Sequence, residues 1–241
     1  MYLFFITSEL KKWLRDPLLS FMLAYPIVFA LLGRYGVPWL AKVSGINMAL
    51  FADLVLVVLT LMTPHIFGAL IGFSILEDRD DHVLTSIQVT PLSVAGYLSF
   101  RFVLVTVLAC VSTWFILWFS QMGGLTLSQM GAVALLSSFA APLTGLIINA
   151  TASNKIEGFV AMKGIIGILI IFPIISLFFM DAKEFIFAIA PGFWPAKVIS
   201  SIVRGEGVLL LSQGQYYWFG FIYAIILNVL VAKGFSRRVQ Y

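Results

Sequence analysis

Fifty-three consecutive residues, Phe102 to Asn154, carry no formal charge. That is too long for one membrane crossing and about right for two, at roughly 20 residues each plus a turn. Gln121-Met122-Gly123-Gly124 supplies a short, glycine-rich turn near the middle. A second uncharged run, Leu54 to Leu76, is 23 residues long and stops abruptly at Glu77-Asp78-Arg79-Asp80-Asp81. Hydrocarbon accepts the run but not the five charges. The cluster is therefore expected in water at one mouth of a span, where a membrane protein meets something soluble.

Composition agrees. The hydrophobic fraction is 61%, mean hydropathy is +1.03 and there are 22 phenylalanines, which calls for an all-α integral membrane protein. The short alternating segments of a membrane barrel are absent. A net charge of +4 does not signal nucleic acid, because the basic residues form no cluster on one segment. Cys110 is the single cysteine and reads as a small apolar residue inside a span. The start of the chain lacks the charge order of a signal peptide, since Met1 to Ile6 are apolar and Lys11, Lys12 and Arg15 follow.

Residues 1–16 read as an amphipathic interfacial helix, with Leu3, Ile6, Leu10 and Trp13 at helical spacing and Glu9, Lys11, Lys12 and Arg15 on other faces. Asp16-Pro17 signals an N-cap and a fresh helix start. Six spans are expected, at about 17–35, 53–76, 99–120, 127–150, 164–180 and 216–232. Between them fall a polar-interrupted loop over Gly36 to Ala52, a loop over 77–98 with a short helix and a break at Thr90-Pro91, and a small polar loop over Thr151 to Lys163. Asp181 to Tyr216 is the longest connection. Its apolar pieces, separated by Pro191-Gly192-Phe193-Trp194-Pro195, are too short to cross and suit re-entrant or interfacial helices. The whole chain reads as one transmembrane domain. Ten of the 15 Lys and Arg fall on the side of the termini and five on the other, so the positive-inside rule puts both termini and the acidic cluster in the cytoplasm.

The chemistry on offer is sparse. The acidic cluster could hold Mg²⁺ against a diphosphate in a metal-dependent membrane enzyme, but that chemistry needs a second carboxylate-rich run, and Arg79 would compete for the same carboxylates. No metal site is expected. His65, beside Pro64, is the ionisable group deepest in a span, and a proton or substrate role in an ion-coupled carrier stands beside a plain hydrogen bond to a neighbouring helix. Asn149 and Asn228 suit interhelical hydrogen bonds, and Asn149 with His65 are candidates for a substrate path. No lysine is followed by Ser or Thr, so a P-loop is absent and any ATP-driven transport needs an ATPase on another polypeptide.

The order of elements resembles the permease subunits of bacterial type-2 ATP-binding-cassette exporters. The resemblance is carried by Lys11-Lys12-Trp13-Leu14-Arg15-Asp16-Pro17, by six spans, by the segment from Glu77 through Leu92, and by the Pro-interrupted connection between spans five and six. It implies a coupling helix over about Asp80 to Val89 that docks on a cytoplasmic ATPase, with Glu77, Asp78, Arg79, Asp80, Asp81, His82, Val83, Leu84 and Ile87 in the coupling segment. It further implies a second permease subunit, identical or not, a multi-pass location in the bacterial plasma membrane, and ATP and Mg²⁺ bound by the partner rather than by this chain. Drugs, peptides and lipid-like molecules are the substrates of such exporters. The family often has Gly-Thr after its charged cluster, where this chain has Asp81-His82-Val83-Leu84.

Overall fold

The computed structural model of the chain describes residues 2–83, 87, 94–205 and 207–239, and its regular elements there are all helical. Helix α1 (Tyr2–Arg15) ends at Asp16, whose carboxylate accepts from the Leu18 and Leu19 N–H groups at 2.8 and 3.0 Å. That cap, with Pro17 in the first turn, starts α2 (Pro17–Leu31). Chain direction changes where the sequence supplies both signals together.

The first span is longer than expected. A π-helical turn over Leu32–Gly36 and then α3 (Val37–Ser44) continue it to residue 44. The expected loop at Gly36 is displaced because Gly36 is right-handed helical and Pro38, whose fixed φ suits a helix, enters at the first positions of α3. The helix stops at Gly45, with φ of 69° and its N–H on the Ala41 carbonyl.

Helix α4 (Ala52–Asp80) is the longest. After it come α5 (Val94–Ser120), α6 (Leu127–Ser138) and α7 (Ala140–Thr151). Helices α6 and α7 together make the fourth span, broken at Phe139 because Pro142 has no N–H for the preceding turn. Asn228, from the last helix, donates Nδ2 to the Phe139 carbonyl at 3.1 Å.

The fifth span begins nine residues before the expected 164, at Lys155, as α8 (Lys155–Ile166), a π-helical turn over Gly167–Ile171 and α9 (Phe172–Ser176). The Thr151 to Lys163 loop is mostly helix because Asn154 caps it, accepting from the Glu157 N–H at 3.0 Å. A 3₁₀ turn (Ala182–Phe187) and α10 (Phe193–Arg204) form the short elements between spans five and six, and α11 (Gln213–Val239) closes the chain.

Six described helical stretches are long and apolar enough to cross a membrane: Pro17–Ser44, Ala52–Asp80, Gly96–Ser120, Leu127–Thr151, Lys155–Ser176 and Gln213–Lys233. The second and fourth are mostly buried, whereas a third or less of each of the other four is buried. They meet through small residues. Gly68 and Gly72 of α4 face Ala141, Thr144 and Ile148 of α7, and a β-carbon at Gly68 would overlap the Ala141 carbonyl. Close backbone approach of this kind is how helices associate where lipid offers no hydrophobic drive. Asn149 Nδ2 adds a cross-helix bond to the Gly72 carbonyl at 3.2 Å.

Candidate functional site

The Glu77 to Asp81 cluster is not a uniform patch in water. Glu77-Asp78-Arg79-Asp80 forms the last turn of α4, and helical geometry splits the cluster between faces. Asp78 is only 3% exposed, while Asp80, Asp81 and His82 are exposed. The expectation that all five charges are solvated is thus corrected for Asp78, which turns inward because cations from other helices wait there.

Those cations are Lys12, Arg101 and Lys155, not Arg79. Arg101, at the start of the third span and 0% exposed, pairs with Asp78 and, at 2.9 Å, with Glu9. Lys12 pairs with Asp78 and lies 3.6 Å from Glu77. Lys155 reaches Glu77 at 3.0 Å and Asp16 at 3.1 Å. The chain of contacts runs Glu9–Arg101–Asp78–Lys12–Glu77–Lys155–Asp16. Three cations and four carboxylates therefore join α1, the cap of α2, the end of α4, the start of α5 and the start of α8.

Neutral groups complete it. Ser74 Oγ accepts from Arg101 and from Trp13 Nε1, the latter at 3.3 Å, and the Ser74 carbonyl accepts from Lys12 at 3.3 Å. The Tyr97 hydroxyl lies 3.2 Å from Glu9 and 3.3 Å from Asp78, and the Arg101 guanidinium stacks 5.1 Å over the Tyr97 ring. Burial pushes the Asp16 carboxyl up, but the Leu19 N–H, Lys155 and the Leu18 N–H outweigh it and hold Asp16 below the ordinary carboxylate range. Removing one partner from a buried pair costs about 3–5 kcal/mol, because the other charge is stranded.

Helix α1 also differs from the simple interfacial picture. Its Glu9 and Trp13 are buried together, Lys12 points into the bundle, and Leu14 is 63% exposed. Of the other residues expected to couple, Arg79, Val83 and Ile87 are partly exposed, while Leu84, most of the expected coupling helix and the Thr90-Pro91 break lie outside the described residues.

His82 follows the helix with φ of 56°, the left-handed conformation in which a closing glycine normally sits. It occupies the stretch where the resembled exporters often have Gly-Thr.

The other candidates lie elsewhere. His65 is buried between α4 and α7, Nδ1 2.7 Å from Thr144 Oγ1. Thr144 already donates its hydroxyl to the Ala140 carbonyl at 2.8 Å, so the network assigns the proton to His65 Nδ1. Its buried Nε2 has no hydrogen-bond partner among the described residues. Asn149 and His65 thus sit in the same helix–helix contact. Among the described residues no three His, Cys, Asp or Glu side chains group as metal ligands, and the two inward carboxylates of the cluster are engaged by cations.

A second charge cluster, missed in the sequence, holds the far end of α4. Arg204 Nε donates to Asp53 at 2.6 Å and Nη1 to the Leu177 carbonyl at 3.0 Å, while Ser200 donates to Asp53 at 3.2 Å. Beside it Lys197 pairs with Glu184 at 2.7 Å, both fully buried, and Tyr216 donates to the same carboxylate. Burial pulls the Lys197 ammonium below its ordinary value, against the opposing pull of Glu184.

Among the described residues the arrangement brings no catalytic grouping together; it sets an exposed acidic tip beyond a helix pinned by charges at both ends. A family model described as "Fluoroquinolones export permease protein Rv2686c-like" matches residues 9–232. Two curated proteins of Mycobacterium tuberculosis, the fluoroquinolones export permease protein Rv2686c of strain H37Rv and its counterpart MT2760 of strain CDC 1551, are each 29% identical over 199 residues, covering 79% of this chain and 78% of each relative. No solved structure matches.

Proposed function

Since this chain belongs to the Rv2686c-like family of fluoroquinolone export permease proteins, we propose that it is the membrane subunit of an ATP-binding-cassette exporter, taking its energy from an ATPase on a separate chain. Two permease subunits, identical or different, and two ATPases form the working unit, set in the bacterial plasma membrane with both termini cytoplasmic. The substrates are amphipathic drugs of the fluoroquinolone kind. ATP and Mg²⁺ belong to the partner.

The observation that carries this reading is the position of Asp80, Asp81 and His82. They are exposed one turn beyond Glu77 and Asp78, which are tied to α1, α5 and α8. The segment from Glu77 to Ile87 docks on the ATPase, with Val83, Leu84 and Ile87 as its apolar contacts. Closure of the ATPases pushes this tip, and the ion network passes the displacement to four helices at once, as a rigid-body switch requires. His65 and Asn149 serve packing of α4 on α7 in this account, and no step needs a proton carried by His65.

The test is association. Detergent-solubilised wild-type protein is expected to co-purify with a P-loop ATPase encoded beside it. Changing Val83, Leu84 and Ile87 together to Asp should abolish co-purification while leaving the permease folded. Undiminished association in that variant removes the coupling assignment.

A further inference from the structure

A groove of about 600 Å³ runs between α7 and α8, a volume within the range of drug-sized sites. Ile147, Ile156, Val160 and Ile168 line it, Thr151 and Glu157 stand at one end, and Leu169 of the π-helical turn lies at the other. Glu157 and Leu169 are separated by about 18 Å at 1.5 Å per helical residue. Ile156 and Val160 are 79% and 69% exposed, so the walls are open to be covered. Gly164 forms part of the wall, and a β-carbon placed there meets nothing within 4 Å.

Glu157 sets the chemistry of an occupant. Its oxygens accept from the Ser153 N–H at 2.8 Å and from Asn154 Nδ2 at 3.0 Å, both neutral donors. Glu9, Asp16, Glu77 and Asp78 each have a cation, whereas among the described residues Glu157 has none. A lone carboxylate at the head of an apolar trough complements an ammonium group on an apolar body. The same charge repels an anionic lipid headgroup.

We propose that this groove binds a drug-sized aromatic amine, its ammonium on Glu157 and its flat apolar body against Val160, Gly164 and Ile168. The inference rests on the export reading and names the substrate feature that reading leaves open: a protonated amine. Fluoroquinolones with a basic ring amine combine both parts in one molecule.

The experiment uses the full chain in nanodiscs of zwitterionic lipid, with the intrinsic fluorescence of a piperazinyl fluoroquinolone as the binding signal. The N-acetylated form of the same compound, which lacks the cation, is expected to bind about tenfold more weakly, a loss of about 1.4 kcal/mol. Glu157→Gln keeps an acceptor for one of the two helix-start hydrogen bonds and should show the same loss for the parent compound. Gly164→Leu should abolish binding by filling the trough, while Gly131→Leu, which adds equal bulk at another open position, should bind as wild type. The proposal is overturned if the parent and acetylated compounds bind equally, if lipid fills the groove so that neither binds, or if Glu157→Gln and Gly164→Leu both bind normally. Failure of the export reading is seen separately, as absence of a co-purifying ATPase whatever the binding result.

Discussion

His82 closes α4 with a φ of 56°, a conformation that costs a side-chain-bearing residue roughly 1 kcal/mol and a glycine little. His82→Gly should therefore leave the thermal midpoint of the purified protein unchanged or raised. A lowered midpoint would mean that the imidazole contributes contacts worth more than the strain. Asp16 supplies a pH prediction. Its pKa is held below the ordinary 3.8, so its ionised form stabilises the fold above that pH, and the contribution disappears as pH falls through the native value. Asp16→Asn keeps the cap but not the Lys155 pair, and acid titration of thermal stability should lose that step in the variant. An identical acid limb in both proteins contradicts the assignment. At this scale the sequence revealed the carboxylates but not their partners. Lys12 and Asp78 are 66 residues apart, and Lys155 and Asp16 are 139 apart. Helical periodicity relates residues three or four apart and is silent about such pairs, so it sets Glu9 and Lys12 off the apolar face without showing that they turn toward Arg101 and Asp78.

Among the elements, α4 does most to define the bundle. Its Gly68-x-x-x-Gly72 spacing lets α7 approach to backbone contact, with Gly145 opposite. Gly68→Val drives a branched side chain into the Ala141 carbonyl and should destabilise the protein by about 1–3 kcal/mol or more, read as a lower unfolding midpoint in detergent; tolerance of valine there would show that the two helices are not tightly packed. The crossing helices were legible because uncharged runs of spanning length have few other solutions in a bilayer. Their ends were less so. Gly36 and Pro38 look like loop residues, yet both are compatible with a helix in the positions they occupy, and Asn154 starts the fifth span earlier than its apolar composition indicates. The two π-helical turns, Leu32–Gly36 and Gly167–Ile171, leave no mark in an apolar pattern. The second immediately precedes α9, whose first turn holds Pro173.

Seen as one object, the molecule has a central helix fixed at both ends. Asp53 with Arg204 holds one end of α4 to α10, and Asp78 with Lys12 and Arg101 holds the other to α1 and α5. Paired charges in an apolar setting favour one arrangement over intermediates, because a half-broken network strands a charge. Such a core suits a machine that moves between two states, and in the proposed exporter the energy enters at the exposed tip beyond Asp78. The direct test replaces Asp78 with Asn, which leaves Arg101 paired with Glu9 and Lys12 near Glu77, with the thermal midpoint of the variant showing that it is folded. In proteoliposomes containing permease and ATPase, hydrolysis and ATP-driven fluoroquinolone export are measured on the same sample. The variant is predicted to bind the ATPase and hydrolyse ATP near the wild-type rate while export falls about tenfold, equivalent to about 1.4 kcal/mol of lost coupling. Export that keeps its wild-type ratio to hydrolysis would contradict the claim that this network transmits the stroke.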